Sequence, residues 1–228
     1  MASIKYPYLI ITISLLCALL FSCSEEGEEL PPLPVTCLQN DNIIISEIVG
    51  LPQDITFSKV KAEISGVDWQ IIATVEGKYS NGKVTLSLPV HFSNEELQKA
   101  TRADAADYTG YWPAEGNNAQ AKVAALNDII AYDNDNNRIG RLFLSDWSGE
   151  GSKSNKTFIY YHYANQDFAL SGYNFTLVAG GRKSFSYNAS FKTGWNAYAN
   201  TSLSSGITHC TTFIEEEMPL TWHFESWL

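Results

Sequence analysis

An all-β fold is predicted for most of this chain, on three observations. Short runs rich in β-branched residues partly alternate between apolar and polar positions, as half-buried strands do. Clusters of Gly, Asn, Asp and Pro separate those runs. One dipeptide, Asn81-Gly82, stands between two of them and supplies the positive φ angles of a type I′ hairpin turn. The resulting plan is a leader over 1–22, a tether over 23–39, a small β-sandwich over 40–92, a helix and linker over 93–118 and a second β unit over 119–228. Whether the two β units are one sandwich or two is open at this point.

The leader carries one positive charge, Lys5, and then an apolar stretch from Tyr8 to Phe21. A membrane-spanning helix needs about 20 apolar residues, so this stretch suits the hydrophobic region of a signal peptide instead. Leu20-Phe21-Ser22-Cys23 resembles the lipobox of bacterial lipoproteins, with small Ser22 before the cysteine and Phe21 bulkier than the usual residue at its position. The resemblance implies cleavage before Cys23, a diacylglyceryl group on its thiol and acylation of the new amine. Each buried methylene contributes about 0.8 kcal/mol, and a single chain binds only marginally, so two or three chains on one residue make a lasting anchor. A secreted chain with an unmodified Cys23 is the alternative.

Ser24, Glu25, Glu26, Gly27, Glu28 and Glu29 follow, then Leu30-Pro31-Pro32-Leu33-Pro34. Acidic residues and prolines bury little apolar area, and the segment reads as an extended tether. Its Cys-Ser-Glu-Glu start resembles the acidic export signal of Bacteroidetes lipoproteins, which implies the outer membrane and the cell surface as the location. Loss of the leader removes Lys5 and no acid, taking the net charge from −10 to −11. Phosphate backbones are bound by clustered Lys and Arg, so nucleic acid is not an expected partner, and an acidic body should meet the membrane only through its lipid.

In the first β unit, Asn42 to Val49, Lys59 to Ile64, Gln70 to Val75 and Val84 to Leu88 read as strands. Ser93-Asn94-Glu95-Glu96 is a capping box and predicts a short helix to about Ala103. Gly110, Pro113, Gly116, Asn117 and Asn118 mark the loop that bounds the second unit. Lys122 to Tyr132 is ambiguous between helix and strand. Strands are predicted over Arg141 to Trp147, Thr157 to Tyr163, Phe168 to Leu170, Phe175 to Val178, Ser184 to Ala189, Thr208 to Ile214 and Thr221 to Trp227. The last places Trp222 and Phe224 on one face and Trp227 on the other.

Ile44 to Leu51, the Tyr79-Ser80-Asn81-Gly82-Lys83 hairpin and Leu86-Ser87-Leu88-Pro89 together resemble transthyretin-like or immunoglobulin-like modules of Bacteroidetes surface lipoproteins. Ala131-Tyr132-Asp133, Ile139-Gly140, Tyr160-Tyr161-His162-Tyr163 and Gly194-Trp195-Asn196 resemble further lipoproteins of those bacteria. The resemblance implies a location and a fold class and brings no catalytic motif.

Of the cysteines, Cys17 leaves with the leader and Cys23 is lipidated, so Cys37 and Cys210 remain. They are either a disulfide stapling the tether to the last strands or two separate buried thiols. Asp133, Asp135 and Asn137 alternate as in a calcium loop. Arg138 then stands where that loop needs Gly and Leu144 where it needs Glu, so a polar hairpin tip is the better reading. His91, His162, His209 and His223 show no metal-ligand spacing, and adjacent His209 and Cys210 point to opposite faces of a strand. No metal, cofactor or catalytic residue is expected, and no nucleophile elbow or phosphate-binding glycine loop is present. Glu215, Glu216 and Glu217 could serve a glycoside hydrolase, but adjacent acids before Pro219 read more simply as a solvated turn. Tyr111, Trp112, Trp147, Trp195 and Tyr198 lie in or beside predicted loops. Trp112 and Trp195 are the candidate ligand contacts, each with a plug at the end of a sandwich as its structural alternative. The expected function is therefore that of a non-catalytic binding module on a lipid anchor. A glycan-binding accessory of nutrient uptake and an adhesion or pilus-type subunit are its rivals.

Overall fold

A computed structural model describes residues 38–39, 41–53, 57–100, 115–147, 151–178, 181–214 and 218–227. Fifteen strands run through them: β1 Leu38–Gln39, β2 Asn42–Ser46, β3 Lys59–Ser65, β4 Ile71–Lys78, β5 Lys83–Ser87, β6 Gln98–Lys99, β7 Glu115–Gly116, β8 Lys122–Tyr132, β9 Arg138–Ser145, β10 Lys156–Ala164, β11 Phe168–Val178, β12 Gly181–Phe191, β13 Gly194–Ser202, β14 Ile207–Thr211 and β15 Thr221–Ser226. The protein is all-β, and the alternation seen in sequence is the alternation of burial. Ile43 and Ile45 of β2, Val60, Ala62 and Ile64 of β3, and Val84 and Leu86 of β5 are buried, as side chains of one pleat face should be.

Two sheets share the main core. The smaller has the order β1-β2-β5, and the larger runs β4-β3-β8-β9-β10-β13-β14-β12-β11-β7, with β15 on β9 and β6 on β8. The hairpin from β4 to β5 passes from one sheet to the other. Its turn is as predicted, with Asn81 at φ 54° and Gly82 at φ 74°, closed by paired backbone bonds of 2.9 and 3.1 Å between Ser80 and Lys83. Gly77 makes the crossing possible: a Cβ there would press on the Thr85 carbonyl oxygen and on Val84. Across the core, Trp222 donates its indole N–H to the Ile44 carbonyl at 3.2 Å. Val49 exchanges backbone bonds with Trp222 and Phe224 at 2.8 and 2.9 Å, which ties β15 to the segment that follows β2.

Three expectations about single elements, a helix, a loop and a pair of short strands, meet a different arrangement. The capping box forms in part, with the Ser93 backbone N–H donating to Glu96 Oε2 at 2.7 Å, but a turn replaces the helix and β6 follows at once. The reason is tertiary. Leu97 enters the core, and the Glu96 carbonyl accepts from the Val67 N–H at 2.8 Å, so it does not serve a helical turn. Residues 101–103 of that expected helix lie outside the described residues. Apart from these single elements, strands from either side of 93–118 pair directly, β3 with β8 from Lys59↔Tyr132 to Ser65↔Ala125, and residues 33–228 group as one compact unit. Finally, Gly194–Ser202 is a strand where the sequence suggested a loop, because it pairs with β10 along its whole length. The ambiguous stretch Lys122–Tyr132 is also a strand, and Phe168 to Val178 is one continuous strand instead of two.

A groove where three strands part

The chemistry-bearing surface of the large sheet begins at a fork. The C-terminal half of β8 pairs with β9, from Ile129↔Leu142 to Tyr132↔Arg138. Its N-terminal part pairs instead with β10, from Val123↔Ala164 to Ala125↔His162. The start of β10 returns to β9 through Phe158↔Ser145 and Ile159↔Leu144. Three ladders therefore meet around Leu126 to Asp128, Phe143 and Tyr160-Tyr161. A β-bulge bends β8 at the same place, since Ala62 pairs with Ile129 and Ile64 with Leu126, leaving Asn127 and Asp128 opposite Glu63 alone. Bulges re-aim side chains and sharpen local twist. This one is anchored from within: the buried Ser65 hydroxyl donates to Asn127 Oδ1 at 3.0 Å.

A groove of about 680 Å³ opens at the fork, within the ~300–1,000 Å³ typical of small-ligand sites. Its lining combines exposed aromatic rings with charged residues. Trp69 is 63 % exposed, Trp227 48 % and Tyr160 43 %, and Lys61, Glu63, Asp128 and Arg138 join them in the lining. Deeper in, the Tyr198 ring lies 5.7 Å from Tyr160 and 4.6 Å from His162. Burial pushes the His162 imidazole down to about 4, so it is neutral across the physiological range. Burial also holds the Tyr198 phenol well above its ordinary value. Lys61 pairs with Glu76 at 3.3 Å and lies 5.4 Å from the centre of the Tyr132 ring. Beside the groove, Arg141 is gripped by Glu225 and lies 3.7 Å from Asp128.

Trp69 is held out by an unusual backbone. Asp68 and Trp69 both adopt left-handed conformations, at φ 52° and 60°, a costly choice for residues with side chains. The turn is fixed by bonds from the Gly66 N–H to the Gln70 carbonyl at 2.9 Å and from the Gln70 N–H to the Val67 carbonyl at 3.1 Å. Gly66 itself lies so close to the Glu96 carbonyl that a Cβ would overlap it. Sequence reasoning passed over this tryptophan, although Gly66 and Asp68 marked its turn between two predicted strands.

Trp195, by contrast, lies inside. It is 8 % exposed, donates its indole N–H to the Pro89 carbonyl at 2.8 Å, and meets Phe92 and Tyr163 edge-on, so it is a core plug. Its place on β13, with alternate residues facing the core, explains the burial. The other candidate contact, Trp112, lies outside the described residues, as do Cys23, Cys37 and Glu215 to Glu217. Cys210 carries a free, buried thiol, pushed up to about 12 by that burial. Trp147 stacks with Phe143, with the Lys153 amine 4.7 Å from its ring centre. Trp227 stands clear of the core that holds Trp222 and Phe224.

The Asp133 to Asn137 segment is a hairpin tip. Asp133 accepts from the Asn137 backbone N–H at 2.8 Å and from its side-chain amide at 2.9 Å, and these bonds hold its carboxyl below the usual range. Among the described residues no group of three or more His, Cys, Asp or Glu side chains could hold a metal ion. The histidines are scattered: His209 bonds Ser186 at 2.8 Å, His223 bonds Thr221 at 2.8 Å, and His91 is exposed.

The fold and groove define a class: an all-β protein of two sheets whose larger sheet forks around an aromatic, charge-lined groove. Compared with family models, with curated proteins and with solved structures, the chain finds no match.

Proposed function

We propose that this protein is a non-catalytic binding module, lipid-anchored through Cys23, displayed on the outer membrane surface, with the groove at the strand fork as its ligand seat. The observation that carries the reading is the gathering of exposed Trp69, Tyr160 and Trp227 in one concave place. Large rings left in water at a groove are costly to a fold and useful to a binder. The N-terminal motif supports the anchor, and the acidic, proline-rich stretch after it supports a tether that holds the body away from the bilayer.

The experiment is fractionation of cells carrying the full chain, joined to protease treatment of intact cells. The wild type is expected in the membrane fraction and open to protease from outside. Cys23→Ala should fold equally well and leave the membranes. Membrane retention of that variant, or an unmodified amine at the mature N-terminus by mass spectrometry, would contradict the anchor.

A further inference from the structure

We infer that the groove binds a neutral oligosaccharide, an assignment that rests on its being a ligand seat. Three features converge on that chemistry. First, Trp69, Tyr160 and Trp227 offer flat apolar faces at one site, and the C–H face of a pyranose ring is the small polar ligand that stacks on such a surface. Second, Lys61, Glu63 and Asp128 present donors and acceptors of both signs in the same lining. Sugar hydroxyls both give and accept hydrogen bonds, so a mixed wall satisfies them, and charged partners make the stronger bonds. Third, the charges do not sum to a cationic site. The two cations of the lining, Lys61 and Arg138, are matched by Glu63 and Asp128, Lys61 is already engaged by Glu76, and the whole chain is strongly acidic, which disfavours sulfated, phosphorylated or uronic ligands.

The structure also argues against a lipid or other fully apolar guest. Such ligands are enclosed by apolar walls, whereas the exposed rings here are interleaved with charged side chains. Two molecular devices maintain the polar and aromatic parts together. The bulge sets Asp128 beside Glu63, and the left-handed turn holds Trp69 outward. Neither is needed to complete a strand, and both are the kind of local departure from regular structure that a site sustains.

The test uses the full chain in detergent, titrated with short neutral gluco-, manno- and xylo-oligosaccharides, read by tryptophan fluorescence and calorimetry. At least one is expected to bind saturably. Trp69→Ala and Trp227→Ala should each weaken it at least about tenfold, with unchanged circular dichroism and melting. Trp147→Ala, outside the groove, should not. Absence of binding across the neutral set, or binding indifferent to both groove substitutions, overturns the assignment. A preference for sulfated or uronic sugars, or for peptides, that is lost in Trp69→Ala overturns the neutral sugar while leaving the groove as a ligand seat. Cleavage of a bound oligosaccharide sustains the sugar and overturns the non-catalytic reading.

Discussion

At the scale of single residues, the same chemical type takes opposite roles according to what lies behind it. Trp195 and Trp69 both follow turn-forming residues, yet one fills the core and donates to Pro89 while the other faces water. His162 shows the same dependence. Its folded value of about 4 lies below the 6.5 of the free side chain, so the unfolded chain takes up a proton first as pH falls. The stability linked to this residue is therefore fully present above pH 6.5, falls between 6.5 and 4, and levels off below that, with a total loss of up to about 3 kcal/mol. Urea unfolding at stepped pH should show this decline in the wild type and a shallower one in His162→Phe. An equal slope in both would place the titration elsewhere.

At the scale of elements, the turn between β3 and β4 is the most demanding piece of backbone described. Gly66 packs against the Glu96 carbonyl, and the following left-handed pair depends on it. Gly66→Ala is expected to destabilise by roughly 1–3 kcal/mol, because the added methyl must displace backbone. It should also blue- or red-shift the Trp69 emission as the ring moves. Chemical denaturation and fluorescence would check both, and a variant with unchanged stability would show that the turn yields freely. The hairpin at Asn81-Gly82 and the tip at Asp133 to Asn137 were legible because their geometry is set by residues adjacent in sequence. The capping box was legible too, but its consequence was not. Whether Glu96 begins a helix depends on Val67, far away along the chain, which takes the carbonyl first. Likewise β13 was hidden by a glycine and several polar residues, and only its pairing with β10 makes it a strand.

At the scale of the whole molecule, strands from the first and second halves share a sheet and a core. Val60 and Ile64 pack in the same cluster as Leu142, Tyr161 and Trp222. A single unfolding transition is therefore expected, with calorimetric and van't Hoff enthalpies in agreement. Two resolved transitions would mean that residues 40–92 and 119–228 unfold independently despite the ladder between β3 and β8.

The sequence by itself determined that the body is β, where most strands lie, how the tight turns close and which residues alternate inward, because these follow from period and turn chemistry among near neighbours. Tertiary structure alone decided where β8 leaves β9, which tryptophans stay in water and which charges stand beside them. Those outcomes depend on pairings between residues far apart in the chain, such as Glu63 with the Asn127-Asp128 bulge, and burial is a property of such partners together.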